Sequence, residues 1–167
     1  MLALSLDSYA IIVVPILLIL VLFLLWYRSR YQKNQSRKFG VKLEHSATSK
    51  LTKKLPKNWH GQANIAIPGR GDLDYLIITP HHRYAIEIKS FKGLKVQGSS
   101  LVKLDGSRPV KDPVEQILGN ARRMKASPVI WLPQARGYNF NFSGCLVVQG
   151  DESSLIEELK KLEKKLK

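Results

Sequence analysis

Apolar residues run unbroken from Tyr9 to Tyr27 (YAIIVVPILLILVLFLLWY), nineteen positions without a charge. A helix of about 20 such residues spans a bilayer. The pattern therefore predicts one N-terminal transmembrane helix, with Pro15 tolerated as a kink and Trp26 and Tyr27 marking an interfacial end. Arg28 to Phe39 is polar and basic, has no apolar period, and reads as a juxtamembrane linker. Leu43, Ala47, Leu51 and Leu55 then recur every four residues, one helical stripe closed by Pro56. QANIAI (62–67), DYLIIT (74–79) and RYAIEIKS (83–90) read as strands, the last two joined by a tight connection around Pro80-His81-His82. LKVQGSSLVKLDG (94–106) reads as a hairpin.

A second helix follows in KDPVEQILGNARRMKAS. Asp112 caps it and Pro113 suits its first position. Val114, Ile117, Leu118 and Ala121 form its buried stripe. VIWL and CLVVQ are short apolar strands separated by a polar, aromatic loop. The tail from Ser153 carries Leu155, Ile156, Leu159, Leu162 and Leu166 on one side of a helix, with Glu and Lys elsewhere. This order predicts an α/β domain, a mixed sheet flanked by helices. The expected organisation is an anchor over 1–27, a linker over 28–39, a domain over 40–150, and a C-terminal helix over 151–167 packed on that domain.

Charge adds orientation. Of 27 basic and 13 acidic residues, only Asp7 precedes the apolar run. Arg28, Arg30, Lys33, Arg37 and Lys38 follow it, with no small-residue cleavage site, which is the pattern of an uncleaved anchor rather than a signal peptide. The positive-inside bias predicts a single pass in an inner or plasma membrane, with the N-terminus outside and the domain in the cytoplasm. A lone cysteine, Cys145, makes no internal disulfide and fits a reducing compartment. Residues 28–57 hold ten Lys and Arg against Glu44 alone. Anionic lipid headgroups are one partner for that stretch. A phosphate-binding surface is the alternative use of the basic charge further on.

The candidate chemistry lies in GDLDYLIITPHHRYAIEIKS (71–90). Residues two apart in a strand share a face, so Glu87 and Lys89 project together, opposite Tyr84, Ile86 and Ile88. Asp74 shares a face with Leu76 and Ile78 and approaches Glu87 if the two strands pair. A solvated cross-strand ion pair accounts for Glu87 and Lys89 on their own. Two carboxylates on adjacent strands also form an oxygen site for Mg²⁺ with room for a phosphate, and a lysine beside them neutralises charge developing on that phosphate. Gln116, Asn120 and Arg123 make a polar stripe on the second helix, one residue off its buried stripe.

Asp74, then Glu87-Ile88-Lys89, then Gln116 on the following helix resembles the PD-(D/E)XK nuclease superfamily. GDLDYLIITPHHRYAIEIKSFKG followed by DPVEQILGNARRM is more closely similar to the nuclease-related domain, NERD, over about residues 40–150. The resemblance implies a restriction-endonuclease-like core. It implies Asp74 and Glu87 as ligands of Mg²⁺ or Mn²⁺, Lys89 as the catalytic lysine, and Gln116 as the helix residue supporting the site. Glu44 matches the family's early glutamate and is a possible accessory residue. Two departures stand out: Leu73 replaces the proline before Asp74, and Leu43 replaces the glycine before Glu44.

Asp72, on the face of Asp74, is a possible accessory ligand or an ordinary exposed acid. His81 and His82 read as turn residues, since neighbours in a turn point apart and zinc wants better-spaced ligands. Arg70-Gly71-Asp72 matches an adhesion tripeptide by coincidence. Trp59, Trp131 and Tyr138 read as core aromatics, with base stacking as the other reading. No phosphate-cradling GxxxxGK[ST] occurs. Two functions follow. One is a membrane-anchored, Mg²⁺-dependent nuclease or DNA-processing enzyme, with Lys92, Lys95, Arg122 and Arg123 on nucleic-acid phosphates and DNA favoured over RNA. The other is a non-catalytic, membrane-tethered module of the same fold that binds nucleic acid or protein. A third, plainer option is a basic domain that only binds lipid. Oligomeric state is not legible.

Overall fold

The computed structural model describes residues 6–69 and 71–165, with side chains from residue 14 onward. Arg70, Leu166 and the side chains of Asp7 and residues 9–13, all used in the sequence reading, lie outside the described residues. The chain divides into two compact units, Met1–Phe39 and Gly40–Lys167. Helix α1 (Leu6–Lys54) contains Pro15 and is continuous through residues 28–39, which the sequence pattern had left as a linker. That stretch has no Gly or Pro and is built mainly from Arg, Lys, Gln and Ser, with Tyr31, Asn34 and Phe39, so nothing in it stops a helix already nucleated. In the first unit the apolar side chains from Val14 to Tyr27 are exposed. By length and composition α1 is able to cross a membrane.

The second unit is a six-stranded mixed sheet covered on both faces. Strands β1 (His60–Ile67), β2 (Gly71–Ile78) and β3 (Arg83–Ile88) form an antiparallel meander. A hairpin of β4 (Leu94–Gln97) and β5 (Ser100–Lys103) leaves the sheet. Helix α2 (Pro113–Met124) leads to β6 (Ser127–Leu132), which pairs parallel to β3. Strand β8 (Cys145–Gln149) pairs parallel to β6, and the short edge strand β7 (Phe140–Phe142) pairs antiparallel to β8. Helix α3 (Glu152–Lys165) ends the described chain. The sheet order is β1-β2-β3-β6-β8-β7. The loop between VIWL and CLVVQ thus contains a strand that the sequence reading missed; FNF is too short for a period to show.

Two cores follow from strand alternation. Tyr75, Ile77, Tyr84, Ile86, Ile88, Val129, Trp131 and Val148 pack against Ala47 and Leu51 of α1 and Leu155, Ile156 and Leu159 of α3. On the other face, Leu76, Ala85, Ile130, Leu132 and Val147 pack against Val114, Ile117 and Ala121 of α2 and Leu94 and Leu101 of the hairpin. The start of α2 is fixed as its sequence implies. Asp112 Oδ1 accepts the Val114 amide at 2.8 Å, and Pro113 stands at the first helical position, where no amide donor is needed.

Several polar residues take interior partners or positions that the patterns did not assign them. Glu163 sits on the α3 stripe, four residues after Leu159, and is buried. Its Oε1 accepts the Thr79 hydroxyl at 2.6 Å and the Tyr84 hydroxyl at 3.1 Å, tying α3 to the β2–β3 turn. Beside that turn His82 Nε2 pairs with Ser127 Oγ at 2.7 Å. Asn120 is buried within the α2 stripe rather than one residue off it. Trp59 and Trp131 are core residues as expected, the latter donating from Nε1 to the Gly150 carbonyl at 2.8 Å. Tyr138 is not a core residue: it is 92% exposed.

Candidate functional site

The site forms where β2 and β3 run side by side. Their register pairs Tyr75 with Ile86, Leu76 with Ala85 and Ile77 with Tyr84. One more step places Asp74 opposite Glu87, and residues opposite each other project to one face. Tyr75 and Ile86 both belong to the α1–α3 core, so Asp74 and Glu87 lie on the α2 face. Across the strands Asp74 Oδ2 accepts the Ile88 amide at 2.6 Å.

The other neighbour of Asp74 is irregular. Asn64 of β1 falls opposite it, but the β1–β2 ladder passes from Ala63–Tyr75 to Ile65–Leu73 without pairing these two. Asn64 holds a left-handed φ of 53°, a conformation that Asn adopts more readily than most residues. Leu73 breaks the alternation as well, burying in the α2-side core. The irregularity opens the ladder beside the candidate ligand, a place where backbone strain commonly sits.

Glu87 is 2% exposed. Its Oε1 accepts the Lys89 ammonium at 2.6 Å, and Lys89 also donates to Gln116 Oε1 of α2 at 3.3 Å. The other carboxylate oxygen, Oε2, is buried without a hydrogen-bond partner. A solvated cross-strand pair does not describe this: the carboxylate is inside, under α2, and only the lysine is partly exposed. Burial pushes the Asp74 carboxyl up to about 8, with the Glu87 and Glu44 charges adding to the shift and the Ile88 amide and Lys89 opposing it. Burial is also the main cause raising Glu87, opposed by the charge and hydrogen bond of Lys89. Two carboxyls in one poorly solvated corner resist ionising together.

Asp74, Glu87, Lys89 and Gln116 are therefore brought together by β2, β3 and α2. Glu44 of α1 is half-buried, and its charge reaches both carboxyls. Asp72 is exposed at the entrance of β2, opposite Ala66. Lys92, Lys95, Arg122 and Arg123 are exposed, and Arg123 donates from Nη1 to the Pro68 carbonyl, which binds it to the turn after β1. Among the described residues no group of three or more His, Cys, Asp or Glu side chains is placed to hold a metal ion. The pair Asp74 and Glu87 nevertheless suits a hard divalent cation. Both are oxygen donors, such ions commonly take only one or two carboxylates and keep their waters, and Glu87 Oε2 is a buried acceptor with nothing to accept.

Two further residues frame the site: Asn120, which the sequence places in the polar stripe of Gln116 and Arg123 but which is buried, and Asn64, which the sequence does not single out. Asn120, one turn beyond Gln116, buries its side chain with Nδ2 unpaired. Its signal was its place three residues after Ile117, on the stripe itself. Asn64 had no signal of its own; only the register shows that it faces Asp74.

Residues 39–148 match the model of the family described as NERD, nuclease-related domain. No curated protein matches the chain.

Proposed function

The chain belongs to the nuclease-related domain family, and from that premise we propose that it is a membrane-anchored hydrolase of phosphodiester bonds in nucleic acid, dependent on Mg²⁺ or Mn²⁺. The observation that carries this reading is the orphaned Oε2 of Glu87, buried on the same face as Asp74 and one ion pair away from Lys89. Asp74 and Glu87 would hold the cation, which when bound polarises the phosphate and lowers the pKa of its water. Lys89 would shift between Glu87 and a phosphate oxygen, neutralising charge as it develops. Gln116 holds the ammonium from the helix side at 3.3 Å, which fixes its direction. The Ile88 amide orients the Asp74 carboxylate and leaves Oδ1 for the cation.

The anchor in this reading is the apolar part of α1. The cytoplasmic placement of the domain, with the N-terminus outside and the membrane an inner or plasma membrane, rests on the basic residues that follow the apolar run. DNA is the favoured substrate over RNA, and the basic segment of α1 would also meet anionic headgroups.

The test is metal-dependent cleavage. The detergent-solubilised full chain should cut labelled DNA or RNA with Mg²⁺ or Mn²⁺ and not with EDTA, and Lys89→Ala should not cut. Equal cleavage by both proteins would point to a contaminant and end the proposal. A second reading, binding without turnover, is favoured by one feature: Lys89 closes on Glu87 at 2.6 Å. Salt-sensitive binding with no turnover in any divalent metal would select it.

A further inference from the structure

Strands β3, β6 and β8 run parallel, so their C-terminal ends gather at one edge of the sheet. Lys89 follows β3 there, the loop 133–139 follows β6, and Gln149 ends β8. Asp74, near the start of the opposed β2, lies at the same edge. The β4–β5 hairpin begins only a few residues past Lys89. Between the hairpin and the loop lies an open groove of about 290 Å³ whose lining includes Lys95, Val96, Leu104, Arg136 and Tyr138 and no acidic side chain.

The groove is a built feature. The buried Gln149 amide fastens its two walls: Oε1 accepts the Leu94 amide of the hairpin at 2.9 Å, and Nε2 donates to the Tyr138 carbonyl of the loop at 2.9 Å. The Gln149 backbone amide donates to Asn139 Oδ1 at 2.8 Å. Glycines 93 and 137 flank the Gln149 side-chain amide so closely that a Cβ on either would come within 3.0 Å of it. The clasp holds Tyr138 where its ring is 92% exposed, beside Val96 and Leu104, which are exposed too. An exposed aromatic ring in a groove that also carries two cations and exposed apolar side chains is the pattern of a stacking platform.

We propose that this groove binds single-stranded nucleic acid, with Tyr138 stacked on an unpaired base and Lys95 and Arg136 on the flanking phosphates, and leads the strand toward Asp74, Glu87 and Lys89. The strand's fate rests on the hydrolase reading; its binding does not. A chain with net charge +14 and a groove of cations without anions is complementary to a polyanion. A duplex has no free base face to offer the ring, which is why the occupant is a single strand.

The test is fluorescence anisotropy on the full chain in detergent with EDTA present, so that cleavage and binding are read separately. The probes are a labelled oligothymidylate of about 20 nucleotides, longer than the roughly 4–16 that a single-strand-binding fold covers, and a duplex of equal length. Tyr138→Ala should weaken single-strand binding roughly tenfold or more, and Tyr138→Phe should keep it, since stacking needs the ring and not the hydroxyl. The double variant Lys95→Ala/Arg136→Ala should reduce the slope of log affinity against log salt by about 1–2. Lys160→Ala/Lys164→Ala on α3, the same charge change elsewhere, should leave binding unchanged. Unchanged affinity in Tyr138→Ala, equal losses for strand and duplex, or Tyr138-dependent binding of anionic vesicles instead of oligonucleotide would overturn the proposal. Tyr138-dependent binding without Mg²⁺-dependent cleavage would overturn only the hydrolase reading. Cleavage with Tyr138-independent binding would overturn only the groove.

Discussion

Asp74 accepts the main-chain amide of Ile88 across the β2–β3 pair at 2.6 Å. The side chain that would ligate a cation is also a strut of the sheet. The two roles separate by substitution. Asp74→Asn keeps an acceptor for the Ile88 amide but loses the charge, so metal-dependent cleavage should fall at least about 100-fold (2.7 kcal/mol or more) with little change in melting temperature. Asp74→Ala should lose the activity and about 1 kcal/mol of stability as well, because a part-buried donor is left unpaired. Equal melting of both variants would remove the structural half of this account.

Glu87 and Lys89 form a pair in which the acid is 2% and the lysine side chain 23% exposed. Removing the lysine alone leaves a buried carboxyl without its cation, which is costlier than removing both. Lys89→Met should therefore destabilise the domain, and Glu87→Gln/Lys89→Met should recover much of the loss, with a coupling of about 1–3 kcal/mol in a denaturant double-mutant cycle. These two proteins and the single variant Glu87→Gln that completes the cycle should all be inactive. Strictly additive effects would show that the pair is not coupled.

Asn64 holds a left-handed φ opposite Asp74. Asn64→Gly should be tolerated, whereas Asn64→Val should cost about 1–2 kcal/mol because a β-branched residue resists that conformation. Urea midpoints at constant slope read the difference. If valine is as stable as asparagine, the ladder is regular at this position.

Gln149 joins the hairpin to the loop that carries Tyr138. Gln149→Leu, similar in volume, removes both bonds and leaves the buried Leu94 amide unpaired, at about 1–3 kcal/mol. Amide exchange at Leu94 should accelerate selectively, and the single-strand affinity should fall even though Tyr138 is intact. Unchanged exchange at Leu94 would mean that the hairpin is held by other contacts.

Asp151 caps α3: its Oδ1 accepts the Ser154 amide and the Ser154 hydroxyl, each at 3.0 Å. The Ser154 amide and hydroxyl hold its carboxyl below the usual carboxylate range. A depressed value in the folded state means that the unfolded chain takes up the proton first as pH falls. The cap's contribution is full above the unfolded value of about 4 and is lost as pH drops through the lower folded value. Asp151→Ala should cost about 1 kcal/mol at pH 7, with the two proteins converging in the acid limb of thermal melts. A difference that persists undiminished at low pH would mean that the carboxylate's charge is not what stabilises the helix.

Most of the fold was legible because local periodicity speaks directly. The stripes of α2 and α3 and the cap at Asp112 are read off positions three and four apart, and the alternation of Tyr84, Ile86 and Ile88 assigns Glu87 to the opposite face without any coordinates. The candidate site was legible to the extent that strand parity decides it: Asp74 and Glu87 each had a face, and one antiparallel pairing put them together. The failures share a cause. Residues 28–39 carry no period, yet a helix passes through them because nothing breaks it. Strand β7 is too short to show alternation. The residue type of Tyr138 points to the core, but its loop is fastened with the side chain outward by a glutamine from another strand.

The amino-acid sequence by itself determined which residues share a face, where helices begin, which charged groups interrupt apolar strands, and to which family the pattern belongs, because each depends on neighbours a few positions apart. Tertiary structure alone decided that Glu87 is sealed under α2 with one oxygen unpaired, that Glu163 rather than a leucine fills the α3 stripe between the Thr79 and Tyr84 hydroxyls, and that Asn64 lies across from Asp74. Those outcomes depend on which groups from distant segments meet. A buried polar atom is stable or stranded according to partners that no local pattern names.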